Sequence, residues 1–357
     1  MCYYWSYASV PKLGLDSAVF RRNQMRRIAT WAITGALVVA GTLSAQGSEM
    51  PHDTAIKHAV ERSLPLLQKS GMTATKKSRC ISCHHNSLTA MTVALARGKG
   101  IRVDDQLASE QLKAATLVAE AWRVHLLNGF GIPGGADAVS YLLIGLGADE
   151  HPADPATDLM ALFLKRAQRP DGRWRISAER PPMEYSDITV TATSLRALQL
   201  YSPESEKFDY DMAVKQAAEW IFAASAGSSE EHAFRLLAMT WANAPPELMG
   251  SAAEEALAQQ KPDGGWAQLS TMPSDVYATG QILVALHATG LPADDDAYRR
   301  GVRFLLDTQL DDGSWHVTTR SFPVQPYFET DFPHGDDQWI SAAASNWATM
   351  ALLHSLP

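Results

Sequence analysis

Three segments of this chain repeat one pattern at one spacing, Gln-x-x-x-Gly-x-Trp: Gln168 to Trp174, Gln260 to Trp266 and Gln309 to Trp315. A fixed internal repeat constrains the fold strongly, because every copy must build the same supersecondary unit. Each copy follows an amphipathic stretch, such as Tyr298, Val302, Leu305 and Leu306, or Leu159, Leu162 and Phe163. That spacing is helical, so the Gln stands on the last turn of a helix. Pro-Asp-Gly or Asp-Asp-Gly then reverses the chain, since Pro and Asp suit a type I turn and Gly tolerates positive φ. The Trp can fold back over the turn, its rings covering apolar surface while the indole N–H seeks an acceptor.

After each turn comes a helix of another kind, small and apolar nearly all round: Ile188 to Leu200, Val276 to Leu286 and Ile340 to Leu353. A helix without a polar face belongs in an interior. Extending the alternation backward predicts outer and inner helices over 52–70 with 83–98, 104–128 with 137–147, and 154–168 with 187–201. It continues with 209–225 and 229–243, 246–260 and 275–289, and 295–309 and 340–355. Six such pairs predict an all-α fold, an α/α toroid in which the inner helices run the same way and open their N-termini at one mouth.

On these residues the chain resembles the squalene/hopene cyclase and prenyltransferase repeat family, from about residue 50 to the end. The resemblance implies an α/α toroid, a structural clamp at Gln168, Gln260, Gln309 and the three Trp residues, and an apolar small-molecule ligand of the isoprenoid class. The family's Asp-x-Asp-Asp proton donor is not intact. The aligned segments read Ser186-Asp187-Ile188-Thr189 and Ser274-Asp275-Val276-Tyr277, with one carboxylate each. Asp294-Asp295-Asp296 has the wrong order and precedes an outer helix, where it reads as a cap. The zinc site of the protein prenyltransferases needs a cysteine in a distant repeat, and none follows Cys83. The family's cyclases are also two-toroid proteins, whereas this length supplies one.

The start of the chain reads differently. Met25-Arg26-Arg27, an apolar run from Ile28 to Leu43 and Ala45-Gln46-Gly47 have the layout of a secretory signal, with an uncleaved membrane anchor as the alternative. Residues 1–47 are therefore expected to be a leader and 48–357 a single toroid domain, exported to the periplasm or beyond. Loss of Lys12, Arg21, Arg22, Arg26 and Arg27 with only Asp16 takes the formal charge from −8 to −12. So acidic a chain, without a basic stripe, is no nucleic-acid binder.

The mature chain keeps two cysteines, in Cys80-Ile-Ser-Cys83-His84-His85 at the start of the first inner helix. Cys-x-x-Cys-His in an exported protein reads as covalent c-type haem attachment, with His84 the proximal iron ligand. A local Cys80–Cys83 disulfide and a metal site using Cys80, Cys83, His84 or His85 are the alternatives. Met272 is the candidate second axial ligand, with Met183, His334 and His232 also expected near that mouth. A haem would imply redox chemistry and an electron-transfer partner.

The mouth is also expected to carry acids: Asp137, Asp187, Asp275 and the pair Asp336-Asp337. Each could simply cap its helix. As a set around an apolar cavity, one could instead stay protonated, and Asp187, Asp275 and Asp337 are the candidate general acids for olefin or epoxide activation. The long segment Phe322 to Gln338 is expected to fold over the mouth as a lid, carrying His334 toward the haem. Three function classes remain open: a haem-bearing redox toroid, a proton-donating isomerase or lyase, and a binding scaffold.

Overall fold

The structure, a computed structural model, describes residues 51–357 except 79, 80 and 324. The leader and Cys80 lie outside the described residues. Six helix pairs follow one another: α1 (Pro51–Ser78) and α2 (Leu88–Gly98), α3 (Asp105–Leu127) and α4 (Gly135–Ala148), α5 (Pro155–Ala167) and α6 (Asp187–Tyr201). Then come α7 (Lys207–Ala223) and α8 (Ser229–Trp241), α9 (Pro246–Leu257) and α10 (Val276–Ala288), and α11 (Asp296–Thr308) and α12 (Gln338–His354). The even-numbered helices pack each against the next, and α12 returns to α2, so the inner ring closes. This is the α/α toroid that the alternation predicts. A π-helical turn, Cys83–Ser87, leads into α2.

Side-chain pattern explains the two layers. Helix α11 buries Tyr298, Gly301, Val302 and Leu305, one stripe at helical spacing, and turns Asp296, Arg299 and Arg303 outward. Helix α12 is buried at every position from Ile340 to Leu353, as an interior helix must be.

The repeated motif is the fastener between outer helices. Gln168 Nε2 donates to the carbonyls of Gly172 and of Ala213 on α7, both at 2.8 Å. Gln260 does the same to Gly264 and to Ala297 on α11. Gln309 donates to Gly313 at 3.0 Å and to Ala59 on α1 at 2.9 Å, so the third copy joins the last outer helix to the first. Each Trp is fully buried and donates Nε1 to a carbonyl of the preceding helix at 2.8 Å: Leu164, Ala256 and Leu305. The glycine is required twice over. Gly313 has φ +87°, and a Cβ there would stand 2.6 Å from the Arg62 carbonyl oxygen.

Because Gln309 closes the ring, Gln309→Ala is expected to cost about 2 kcal/mol, the loss of two hydrogen bonds to carbonyls without replacement partners. Gly313→Ala should cost more, since backbone rather than a flexible side chain must yield. Urea unfolding of the two variants, followed by circular dichroism, measures both.

Candidate functional site

The inner helices bring their N-terminal turns together at one end. There Cys83 stands before α2, Asp137 and Tyr141 on α4, Thr189 on α6, Glu230 on α8, and Tyr277 and Gln281 on α10. All are buried. Burial strips water from two carboxyls, so both keep their protons far above the usual carboxylate range. Asp137 is pushed up to about 7, with the Arg180 guanidinium pulling the other way. Glu230 is pushed up to about 8, against hydrogen bonds from Tyr277, Gln281 and Thr189 and with Asp137 adding to the rise.

The two acids differ in their partners. Glu230 accepts from the Tyr277 hydroxyl at 2.6 Å, Gln281 Nε2 at 2.9 Å and Thr189 Oγ1 at 3.3 Å. Asp137 Oδ1 is buried without a hydrogen-bond partner, as is the Tyr141 hydroxyl. Tyr141, one turn along α4 from Asp137, lines an apolar cavity of about 40 Å³ together with Phe234, Trp241, Trp347, Val284 and others. A carboxylic acid with an unused oxygen, one helical turn from an apolar space, is equipped to give a proton to a weakly basic group brought against it.

The segment before α6 seals this end. Arg180 and Glu184 exchange both backbone hydrogen bonds and form an ion pair, which turns the fully buried Met183 inward. Met183 Sδ lies 3.9 Å from Cys83 Sγ, and Glu184 Oε1 is 3.5 Å from the same thiol. Burial, then Asp137, push the Cys83 thiol up to about 12. His84 pairs through Nδ1 with His85 Nδ1 and packs its ring against Trp339. Burial holds His84 well below the usual imidazole range and brings His85 down to about 3. Among the described residues no three His, Cys, Asp or Glu side chains are grouped to hold an ion. The metal alternative therefore turns on Cys80.

The predicted acids Asp187, Asp275 and Asp337 have backbone partners. Asp187 Oδ1 accepts from Ile176 N at 2.9 Å. Asp275 accepts from Ala278 N at 3.0 Å and Gln268 N at 3.4 Å. Asp337 accepts from Thr319 N at 2.7 Å and His316 Nε2 at 2.8 Å. Each ties the chain that follows a repeat Trp to the start of an inner helix. Met272 sits in a turn whose carbonyl is bound by Lys261; the sulfur beside the cysteine motif is that of Met183. The long loop does reach the motif, but with Thr330, 3.1 Å from His85 Nε2, and with the ring of Phe332. His334 instead meets Ser314 at 2.8 Å and stacks on His316.

Glu230, Tyr141 and Tyr277 do not stand out in the sequence. Ser228-Ser-Glu-Glu looks like a capping box; Ser228 Oγ does cap the helix, accepting from Glu231 N at 3.3 Å, while the Glu231 carboxylate accepts from Gly227 N at 2.7 Å, one residue before the cap. Glu230, beside Glu231, has an ordinary solvated reading. The available signal is phase, since a residue adjacent to Glu231 must point about 100° away from it.

Comparison with known proteins agrees with this architecture. Residues 231–356 match the squalene-hopene cyclase C-terminal domain. A type II terpene cyclase from Scytonema, in complex with geranylgeranyl dihydroxybenzoate, superposes over 86% of this chain and 99% of its own at 13% identity, TM-score 0.52. A glycosidase in complex with glucose superposes over 84% of this chain and 99% of its own at 12% identity, TM-score 0.51. The chain spans 50% of the length of an ent-copalyl diphosphate synthase from Streptomyces platensis, covering 76% of itself at 18% identity, TM-score 0.49. The fold is thus a terpene cyclase-like toroid, and its C-terminal part carries the squalene-hopene cyclase C-terminal domain pattern.

Proposed function

We propose that this protein binds an apolar, isoprenoid-type small molecule at the mouth of the toroid and transfers a proton to it from Asp137. The observation that carries the reading is Asp137 itself: buried, with Oδ1 unpartnered, and pushed up to about 7. An acid so held is substantially protonated at neutral pH, and an olefin or epoxide brought against it can take the proton. Glu230, fixed by three donors, would stay in place while Asp137 cycles. The ligand class is supported by the apolar lining of the cavity at Tyr141 and by the terpene cyclase neighbour's own ligand, geranylgeranyl dihydroxybenzoate. Asp187, Asp275 and Asp337 are assigned here to holding the mouth together. Incubation with squalene and shorter polyprenes, with products separated by gas chromatography and mass spectrometry, tests the reading; unchanged substrate throughout would defeat it. The glycosidase neighbour shows that the fold does not choose the chemistry, so the assignment rests on the acids.

A second reading retains a c-type haem on Cys80, Cys83 and His84. It is favoured by the hydrogen bond to His84 Nδ1, which leaves Nε2 as the nitrogen for an iron, and by the Met183 thioether beside Cys83. A bound haem would supply electron transfer at this mouth, with export and an electron-transfer partner implied. Room for a porphyrin beside His84 requires Thr330 and Phe332 to stand off His85. Protein produced with a cytochrome c maturation system is expected, on this reading, to show a Soret band that Cys80→Ala or Cys83→Ala removes. Its absence in the unmodified protein removes the reading.

A further inference from the structure

Three buried tryptophans among the described residues are hydrogen-bonded. Trp174, Trp266 and Trp315 each donate Nε1 to a carbonyl at 2.8 Å. Trp347 on α12, 1% exposed, does not: its Nε1 has no partner. Three buried tyrosines are hydrogen-bonded as well, Tyr277 to Glu230, Tyr298 to the Ala351 carbonyl at 3.1 Å and Tyr201 to the His151 carbonyl at 2.9 Å. Tyr141, 2% exposed, differs: its hydroxyl is buried without a partner. Trp347 and Tyr141 line the same apolar cavity of about 40 Å³. An indole N–H can only donate and a phenol can donate or accept, so what complements the pair is an oxygen able to accept two hydrogen bonds. Of the remaining lining, the Thr193 hydroxyl is already engaged, donating to the Thr189 carbonyl at 3.0 Å and accepting from Ser140 Oγ at 2.9 Å, and Phe234, Leu237 and Val284 are apolar.

We infer that this cavity receives the oxygen-bearing end, an alcohol or a carbonyl, of the apolar ligand, held between Trp347 Nε1 and the Tyr141 hydroxyl. The inference rests on the apolar-ligand reading above and narrows it from hydrocarbons to oxygenated isoprenoids. The cavity has room for an oxygen and the carbon or two behind it, and Tyr141 lies on the same helix as Asp137, one turn further in. The carbon frame of the ligand would then extend from the cavity toward the acids.

Geraniol and myrcene are suitable probes, since they match in carbon count and differ chiefly in the hydroxyl. Full-length protein carrying 15N-labelled tryptophan, with the Trp347 indole signal identified through Trp347→Phe, reports both occupancy and the hydrogen bond. The expected result is a downfield shift of that signal with geraniol and binding about tenfold tighter than myrcene, the effect of one net hydrogen bond. In Tyr141→Phe the preference should shrink to about threefold or less, with myrcene affinity little changed. Equal affinity for the two probes with the Trp347 signal unmoved would overturn the inference, leave the apolar-ligand reading standing, and mean that water alone satisfies the pair. Failure of both probes to bind the unmodified protein would overturn both.

Discussion

Asp137→Asn is expected to lower turnover of an isoprenoid substrate by at least about 100-fold, the usual contribution of a positioned general acid. The protein should remain folded. The amide keeps the shape of the carboxyl and removes a buried group whose charge the site does not welcome, so stability at neutral pH should hold or rise. The same exchange at Asp187, Asp275 or Asp337 should act in reverse order: stability falls by about 1 kcal/mol, as for a lost cap, before turnover is affected. That contrast separates the proton donor from the carboxylates that fasten the mouth. Wild-type turnover in Asp137→Asn, measured on the substrate that polyprene screening identifies, would remove the proposed mechanism. The acid form is the active one, so turnover should also fall as pH rises through about 7.

The second large effect is on stability against pH. Asp137 goes from an ordinary value of 3.8 to about 7 on folding, and Glu230 from 4.5 to about 8. A carboxyl raised on folding contributes stability that is whole below its unfolded pKa and is lost as pH climbs to its folded one. For Asp137 alone the shift corresponds to about 4 kcal/mol. Histidines act in the opposite direction. His84 and His85, lowered on folding, cost stability as pH falls below 6.5. The difference between wild type and Asp137→Asn cancels the histidines. In urea unfolding, the wild type should match the variant near pH 4 and fall progressively behind it up to about pH 7. Glu230→Gln should remove the remaining decline toward pH 8. Parallel curves for wild type and variant would mean that Asp137 titrates normally and has no claim to be the acid.

Much of the architecture is legible in the chain because it is written in local chemistry. Gln-x-x-x-Gly-x-Trp specifies a helix end, a turn with positive φ at Gly313 and a Trp that must find a carbonyl, and all three copies do. The nearly all-apolar stretches Val276 to Leu286 and Ile340 to Leu353 announce interior helices without reference to any neighbour. The haem reading is likewise local, a matter of spacing at Cys80, Cys83 and His84, and its cysteines include one outside the described residues.

The site is a different kind of object. Asp137 and Asp187 are both acids in the first turn of an inner helix, and nothing in their sequence neighbourhoods says which of them has a backbone partner. Asp187 is met by the Ile176 N–H, supplied by chain that folds back from Trp174. Asp137 meets no such segment, because the turn before α4 lacks the Gln/Trp copy that would deliver one. Glu230 is likewise inward only because α8 presents that phase to Tyr277 and Gln281 on α10, while its neighbour Glu231 turns back to accept from Gly227 N. By itself, then, the sequence determined which segments are helices, which of them are interior and where the ring is fastened, since those follow from periodicity and turn chemistry. Which carboxyl is left without water, partner or charge was decided only by tertiary structure, because desolvation depends on what five other helices bring to the same point.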